Sequence, residues 1–137
     1  MPILSFSDLQ IRCAEENKSI YEVAQEEEAS LIGEVVDVVR LKVLEDLLAM
    51  KDAVKNGLKS KEKAISGWCG DDCAKLIEKY QKKGAIFGKT FEKITTYALA
   101  TAEENLRMGR IVACPTAGSC GIVPVSYTHL TLPTKLE

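Results

Sequence analysis

Between Val36 and Val54 the apolar residues Val36, Val39, Val43, Leu47, Met50 and Val54 recur at steps of three or four, with Lys42, Glu45, Lys51 and Lys55 falling between them. Only a helix gathers that spacing onto one side, so a helix is expected from near Val35, with Gly57 suited to its end. A stripe of this length must be covered by neighbours. It reads as the core of a helical bundle in preference to a coiled-coil seam or a cofactor box.

Further helix signals flank it. Ser7-x-x-Gln10 and Ser19-x-x-Glu22 both fit the capping box, and the second opens an acidic helix through Gln25 to Glu28 that Gly33 interrupts. A helix is expected to about Lys83 with Leu76, Ile77 and Tyr80 inward, acidic residues at its start, lysines at its end and Gly84 beyond. Another covers about Thr90 to Met108 with Phe91, Ile94, Ala98, Ala102 and Leu106 inward, and Gly109 is expected to stop it. Arg110 to Ala113 is extended in character. With 46% apolar and 28% charged residues in 137, the chain has the length of one ordinary domain, and the expected class is all-α with two special loops.

Eighteen basic residues against 20 acidic ones, interleaved in sequence, argue against a nucleic-acid partner. No apolar run approaches the ~20 residues of a membrane span. Met1-Pro2-Ile3 does not open a secretory signal, so a cytoplasmic location and no membrane partner are expected. Five cysteines, Cys13, Cys69, Cys73, Cys114 and Cys120, are an odd number for a disulfide framework, and reduced thiols are the default.

Chemistry concentrates in the two loops. Ser66-Gly67-Trp68-Cys69-Gly70-Asp71-Asp72 precedes a helix, and Cys114-Pro115-Thr116-Ala117-Gly118-Ser119-Cys120-Gly121 packs hydroxyls, thiols and glycines into one turn. Backbone amides in such a turn can approach a small carboxylate. The second loop lacks the Gly-Lys-Ser/Thr ending of a phosphate loop and the Gly-x-Ser-x-Gly of a nucleophile elbow. From composition alone a plain structural turn remains equally open.

The stretch Gly109 to Ala113 followed by Pro115-Thr116-Ala117-Gly118-Ser119-Cys120-Gly121-Ile122-Val123-Pro124 closely resembles the alpha subunit of iron-sulfur-dependent L-serine dehydratase. Ser66-Gly67-Trp68-Cys69-Gly70-Asp71-Asp72-Cys73-Ala74-Lys75-Leu76 resembles that family's Ser-Gly-x-Ser/Thr-Gly-Gly-Asp-Ala-x-Lys-Leu loop. Glu22, Glu26, Asn56-Gly57-Leu58 and Asn105 fit as well. The likeness spans residues 7 to 124. Cys69, Asp71, Cys73 and Cys114 depart from the family's usual residues.

The resemblance implies a lyase that eliminates water from L-serine to aminoacrylate and releases pyruvate and ammonia with a 4Fe-4S cluster. It also implies a beta subunit or beta domain as partner, and an oligomer. Ser66, Gly67, Gly70, Thr116, Ala117, Gly118, Ser119 and Gly121 are then the candidate substrate-binding residues. The general base is unassigned. A Cys69-x-x-x-Cys73 pair with Cys114 and Cys120 has no strong cluster-ligand spacing, and the family's cluster cysteines lie after the second motif, so only Cys120 is kept as a candidate ligand.

Residues 125–137 resemble the translation of a sequencing-library adapter. They are expected to be non-native, which leaves 1–124 as an amino-terminal part of the alpha-chain catalytic domain and gives His129 no role. The fragment alone is expected to be inactive. The competing readings are a non-catalytic helical interaction module and a related cluster-dependent dehydratase of another small hydroxy or amino acid.

Overall fold

The computed structural model of the chain describes residues 3–84, 86–113, 116–123 and 125. Among them the regular elements are all helical: α1 (Phe6–Glu16), α2 (Ile20–Ile32), α3 (Val36–Lys59), α4 (Asp72–Lys83), α5 (Gly88–Leu106) and a 3-10 turn at Ala117–Ser119. The all-α expectation holds. None of these helices is long and apolar enough to cross a membrane. Residues 110–113 carry no strand. The chain divides into two compact units, Met1–Glu45 and Asp46–Glu137, with the division falling inside α3.

In the first unit α1 starts two residues earlier than the Ser7 capping box predicts. Ser5 has the extended backbone of an N-cap and its hydroxyl accepts from the Asp8 amide at 3.2 Å, while the Asp8 carboxylate accepts from the Leu4 amide at 3.1 Å. Asp8 therefore performs the reciprocal cap expected of Gln10, and Ser7 lies inside the helix. The Ser19 capping box forms as expected, with Glu22 Oε2 accepting from the Ser19 amide at 2.8 Å, and Gly33 ends α2 in the left-handed region.

Charge tethers α1 to α2. Arg12 reaches Glu16 at 2.8 Å and Glu27 at 2.7 Å, and Lys18 reaches both Glu16 and Glu26 at 2.8 Å. Exposed ion pairs add little stability singly. The network orients the pair of helices around Val23 and Ala29, which are the buried residues of α2.

The second unit is built on the later part of α3, where Ala49, Met50, Ala53 and Val54 are buried, together with Ala64, Cys73, Ala100, Cys120 and Val125. Of the predicted α3 stripe, Val39, Met50 and Val54 are buried, whereas Val43 is exposed. Gly57 does not end α3. It sits within the helix, buried, and a β-carbon there would collide with the main chain of Ala100 on α5.

That contact explains why the buried face of α5 is not the predicted one. Phe91, Ile94, Ala98, Ala102 and Leu106 were the expected inward residues, but Phe91, Ile94, Ala102 and Leu106 are exposed and Ala98 is half-buried. The face turned inward carries Thr96, Ala100 and Glu103. Close approach to α3 at Gly57 admits only small side chains there. The hydroxyl of Thr96 can be buried because it donates back to the Glu92 carbonyl at 2.7 Å, as Thr101 does to Tyr97 at 3.0 Å.

Helix α4 behaves as predicted at its far end, where Gly84 donates its amide to the Tyr80 carbonyl. Tyr80 also meets Thr95 of α5 through their hydroxyls at 3.1 Å. Helix α5 stops at Leu106, ahead of Gly109, and Met108 takes the left-handed conformation at φ 64°.

Candidate functional site

The first loop runs between α3 and α4 and folds on itself. The Ala64 amide donates to the Cys69 carbonyl at 2.7 Å and the Gly67 amide to the Ala64 carbonyl at 2.8 Å, so residues 64–69 form a closed bend. Ser66 Oγ accepts from the Trp68 amide at 3.4 Å, and Ser66, Gly67 and Trp68 are exposed. Gly70, by contrast, is buried at φ 121°.

What holds the bend is a buried charge group on α5 that sequence reasoning missed. Arg107 Nη1 donates to the Gly70 carbonyl at 3.0 Å and the Glu62 carbonyl at 3.3 Å, and lies 3.4 Å from Glu103 Oε2. Nη2 lies 3.5 Å from Glu104. The other oxygen of Glu103 accepts from the Cys73 amide at 2.9 Å, in the first turn of α4. Asp71, which precedes α4, turns its carboxylate to Lys75 at 2.7 Å, and that contact holds the Asp71 carboxyl below its ordinary range. Glu103 of α5 thus adds a carboxylate to the α4 N-terminus, beside Asp72 of the helix's own first turn. The i, i+4 spacing of Glu103 and Arg107 was visible in sequence, but a charged pair on a helix normally marks a solvated face.

Cys73 is enclosed, with Sγ donating to the Thr96 carbonyl at 3.4 Å. Burial, and after it the Glu103 carboxylate, pushes this thiol up to about 11 from an ordinary 9.0, against an opposing pull from Arg107. The thiol is inert packing. At pH 8 iodoacetamide should label the half-buried Cys69 and leave Cys73 unmodified until the chain unfolds, read by peptide mass spectrometry.

The native state keeps the Cys73 proton where the unfolded chain loses it, so its contribution is whole below the ordinary thiol value and disappears as pH rises from 9.0 through about 11. Cys73→Ala should flatten that part of the stability profile, and an unchanged slope would refute the assignment.

The second loop is the 3-10 turn. Thr116 Oγ1 and Ser119 Oγ are 3.2 Å apart, Ser119 Oγ also donates to the Thr116 carbonyl at 3.0 Å, and the Ser119 amide donates to that carbonyl at 3.1 Å. Thr116, Ala117 and Gly118 are exposed, Ser119 and Gly121 half-buried, and Cys120 buried. Gly121 lies against Ala98 of α5, where a β-carbon would come within 3.2 Å of the carbonyl oxygen. Cys114, Pro115, Pro124 and residues 126–137, including His129, lie outside the described residues.

Both loops therefore attach to α5 but at different points. Arg107 and Ala98 are nine residues apart, two and a half turns, which puts the anchors on opposite sides of the helix and about 14 Å apart along it. Among the described residues no three His, Cys, Asp or Glu side chains group so as to hold a metal ion. The thiol donor set also fits a cluster poorly: Cys73 is held protonated inside the helix packing, and Cys120, the one candidate ligand, is itself buried.

The sequence matches the serine dehydratase alpha chain family over residues 15–135. It is 32% identical over 124 residues to the L-serine dehydratase alpha chain of Peptoniphilus asaccharolyticus, covering 87% of this chain and 41% of that protein. Against the L-serine dehydratase of Helicobacter pylori it is 31% identical over 117 residues, 82% of this chain and 25% of the relative. For the L-serine dehydratase of Streptomyces coelicolor the figures are 33% over 90 residues, 64% and 20%. The chain thus spans less than half the length of these relatives. No solved structure matches it. With the family model matched over residues 15–135 of its 137, the chain belongs to the serine dehydratase alpha-chain family.

Proposed function

We propose that this chain is the substrate-binding part of a lyase that converts L-serine to pyruvate and ammonia, working with a beta chain or beta domain. The observation that carries the reading is the Thr116–Ser119 turn, exposed from Thr116 to Gly118 and with paired hydroxyls 3.2 Å apart, in a chain of this family. Serine offers a carboxylate, an ammonium and a hydroxyl. Neutral hydroxyls and main-chain amides suit the first without adding a charge that would hold the product.

In the reaction the α-proton and the β-hydroxide leave as water, the aminoacrylate tautomerises to the imine, and hydrolysis gives pyruvate and ammonium. The part assigned to this chain is to hold the carboxylate through the Thr116 hydroxyl, the Ser119 hydroxyl once it turns away from the Thr116 carbonyl, and the amides of Ala117, Gly118 and Gly121. Ser66, Gly67 and Gly70 are assigned to the ammonium end of the same serine, which requires their bend to reach past α5 toward that turn. The 4Fe-4S cluster implied by the resemblance takes its thiols from outside the described residues in this reading. The chain alone is then inactive.

The test is the complete reading frame that carries this segment, expressed anaerobically with its beta chain and assayed for pyruvate from L-serine. Turnover is expected, and Ser119→Ala should raise KM about tenfold, the value of one lost hydrogen bond, with a melting temperature close to that of the parent. Absence of turnover, or an unchanged KM in the variant, overturns the reading.

A further inference from the structure

We propose that Arg107, fixed by Glu103, is a positioning residue that sets the backbone of the Ser66–Gly70 loop for substrate. The proposal rests on the dehydratase reading and adds to it a residue that lies in neither loop. The arrangement at its basis is specific. A single guanidinium nitrogen accepts no hydrogen bonds but donates to the carbonyls of Glu62 and Gly70, the residues on either side of the closed bend of Ala64 to Cys69. Entrance and exit of the loop are stapled at one point. The partner carboxylate then fixes the start of α4 through the Cys73 amide.

Both side chains are withdrawn from water, Arg107 at 8% and Glu103 at 2% exposure. A buried ion pair is commonly no more stabilising than apolar residues of the same volume, because desolvation offsets the attraction. Geometry is the better reason for this pair. Guanidinium has several donors in a fixed plane, so it holds two carbonyls and the carboxylates together, where an ammonium with three rotatable donors does so only in part and an apolar chain not at all.

Arg107 also closes α5, its amide donating to the Glu103 carbonyl at 3.0 Å, before Met108 takes a left-handed φ of 64°. Its side chain holds one candidate loop and its backbone begins the route to the other.

The test uses the same complete, anaerobically expressed enzyme with Arg107→Lys, Arg107→Met and Glu103→Gln. Arg107→Met should raise KM for L-serine by about tenfold or more with kcat within about threefold, and Arg107→Lys should recover part of the loss. Amide hydrogen exchange supplies a readout independent of turnover. Exchange at Ala64 and Cys73 should quicken about tenfold in Arg107→Met while Val54 and Ala100 keep their protection.

A uniform loss of protection with KM unchanged makes the pair ordinary packing and overturns the proposal. If the unsubstituted enzyme forms no pyruvate and exchange still quickens only at the loop, the dehydratase reading fails and the substrate role with it, while the staple itself stands. If exchange at Ala64 and Cys73 does not change, the staple fails whatever the kinetics.

Discussion

Gly57→Val should lower the melting temperature of the chain by on the order of 15 °C, corresponding to about 3 kcal/mol in a unit of this size. The position lies inside α3 and is buried, and a β-carbon there runs into the Ala100 carbonyl, carbon and Cα. Those atoms are backbone held in α5, so relief requires moving a helix. Valine adds two methyl groups to the collision and a restricted χ1. An exposed glycine in a helix interior would respond in the opposite direction to Gly57→Ala, gaining about 1 kcal/mol from propensity. Destabilisation by alanine and a larger loss with valine, followed by thermal unfolding at 222 nm, establish the close crossing. A more stable Gly57→Ala would remove it.

That crossing also shows where the fold could be read in the sequence and where it could not. Ser19 with Glu22, Gly33 and Gly84 act locally, through backbone groups within one turn, and each appears where its spacing places it. Gly57 has the residue type of a helix end and the role of a packing contact, and nothing local separates the two. The same contact turns α5: once the helices approach at Gly57 and Ala100, the inward side needs small residues, and the threonines can supply them because their hydroxyls are satisfied by their own helix. Phe91, Ile94 and Leu106 then lie on surface that is exposed. A periodicity count weighs them as core because it measures hydrophobicity and not the distance between helices.

The candidate site divides in a similar way. Its loops were legible because glycines and hydroxyls in series have few roles other than bending the chain and presenting polar groups. Its support was not. Glu103 and Arg107 look like a solvated pair until α4 and the loop are folded over them, after which Glu103 is among the least exposed side chains of the described residues and the Arg107 side chain is mostly withdrawn from water. Cys73 shows the converse: a residue that suggests reactivity in sequence is pushed up to about 11 by the same burial and serves as packing. The chemical role of a residue here is set by what covers it.

Gly70→Ala should cost on the order of 3 kcal/mol in the second unit and cut L-serine affinity in the complete enzyme by about a hundredfold. Two independent penalties meet at this residue. Its φ of 121° lies where side-chain-bearing residues are strained, and the added carbon would sit 2.5 Å from the Ala64 nitrogen and 2.9 Å from the Lys63 backbone. Shifting Lys63 and Ala64 away would break the 2.7 Å bond from Ala64 to Cys69 that closes the bend. Shifting Gly70 instead would pull its carbonyl from Arg107, 3.0 Å away.

Gly67→Ala is the control. That residue also has a positive φ, of 75°, but nothing lies within 4 Å of its added carbon, so only the strain of about 1–2 kcal/mol applies. Thermal unfolding of both variants, with serine titrations of the complete enzyme, separates conformational strain from collision. If the two substitutions cost the same, Gly70 is merely a turn residue. If Gly70→Ala costs more and its excess disappears in an Arg107→Met background, the collision acts by dislodging the loop from its staple, because a carbonyl already released has no contact left to lose.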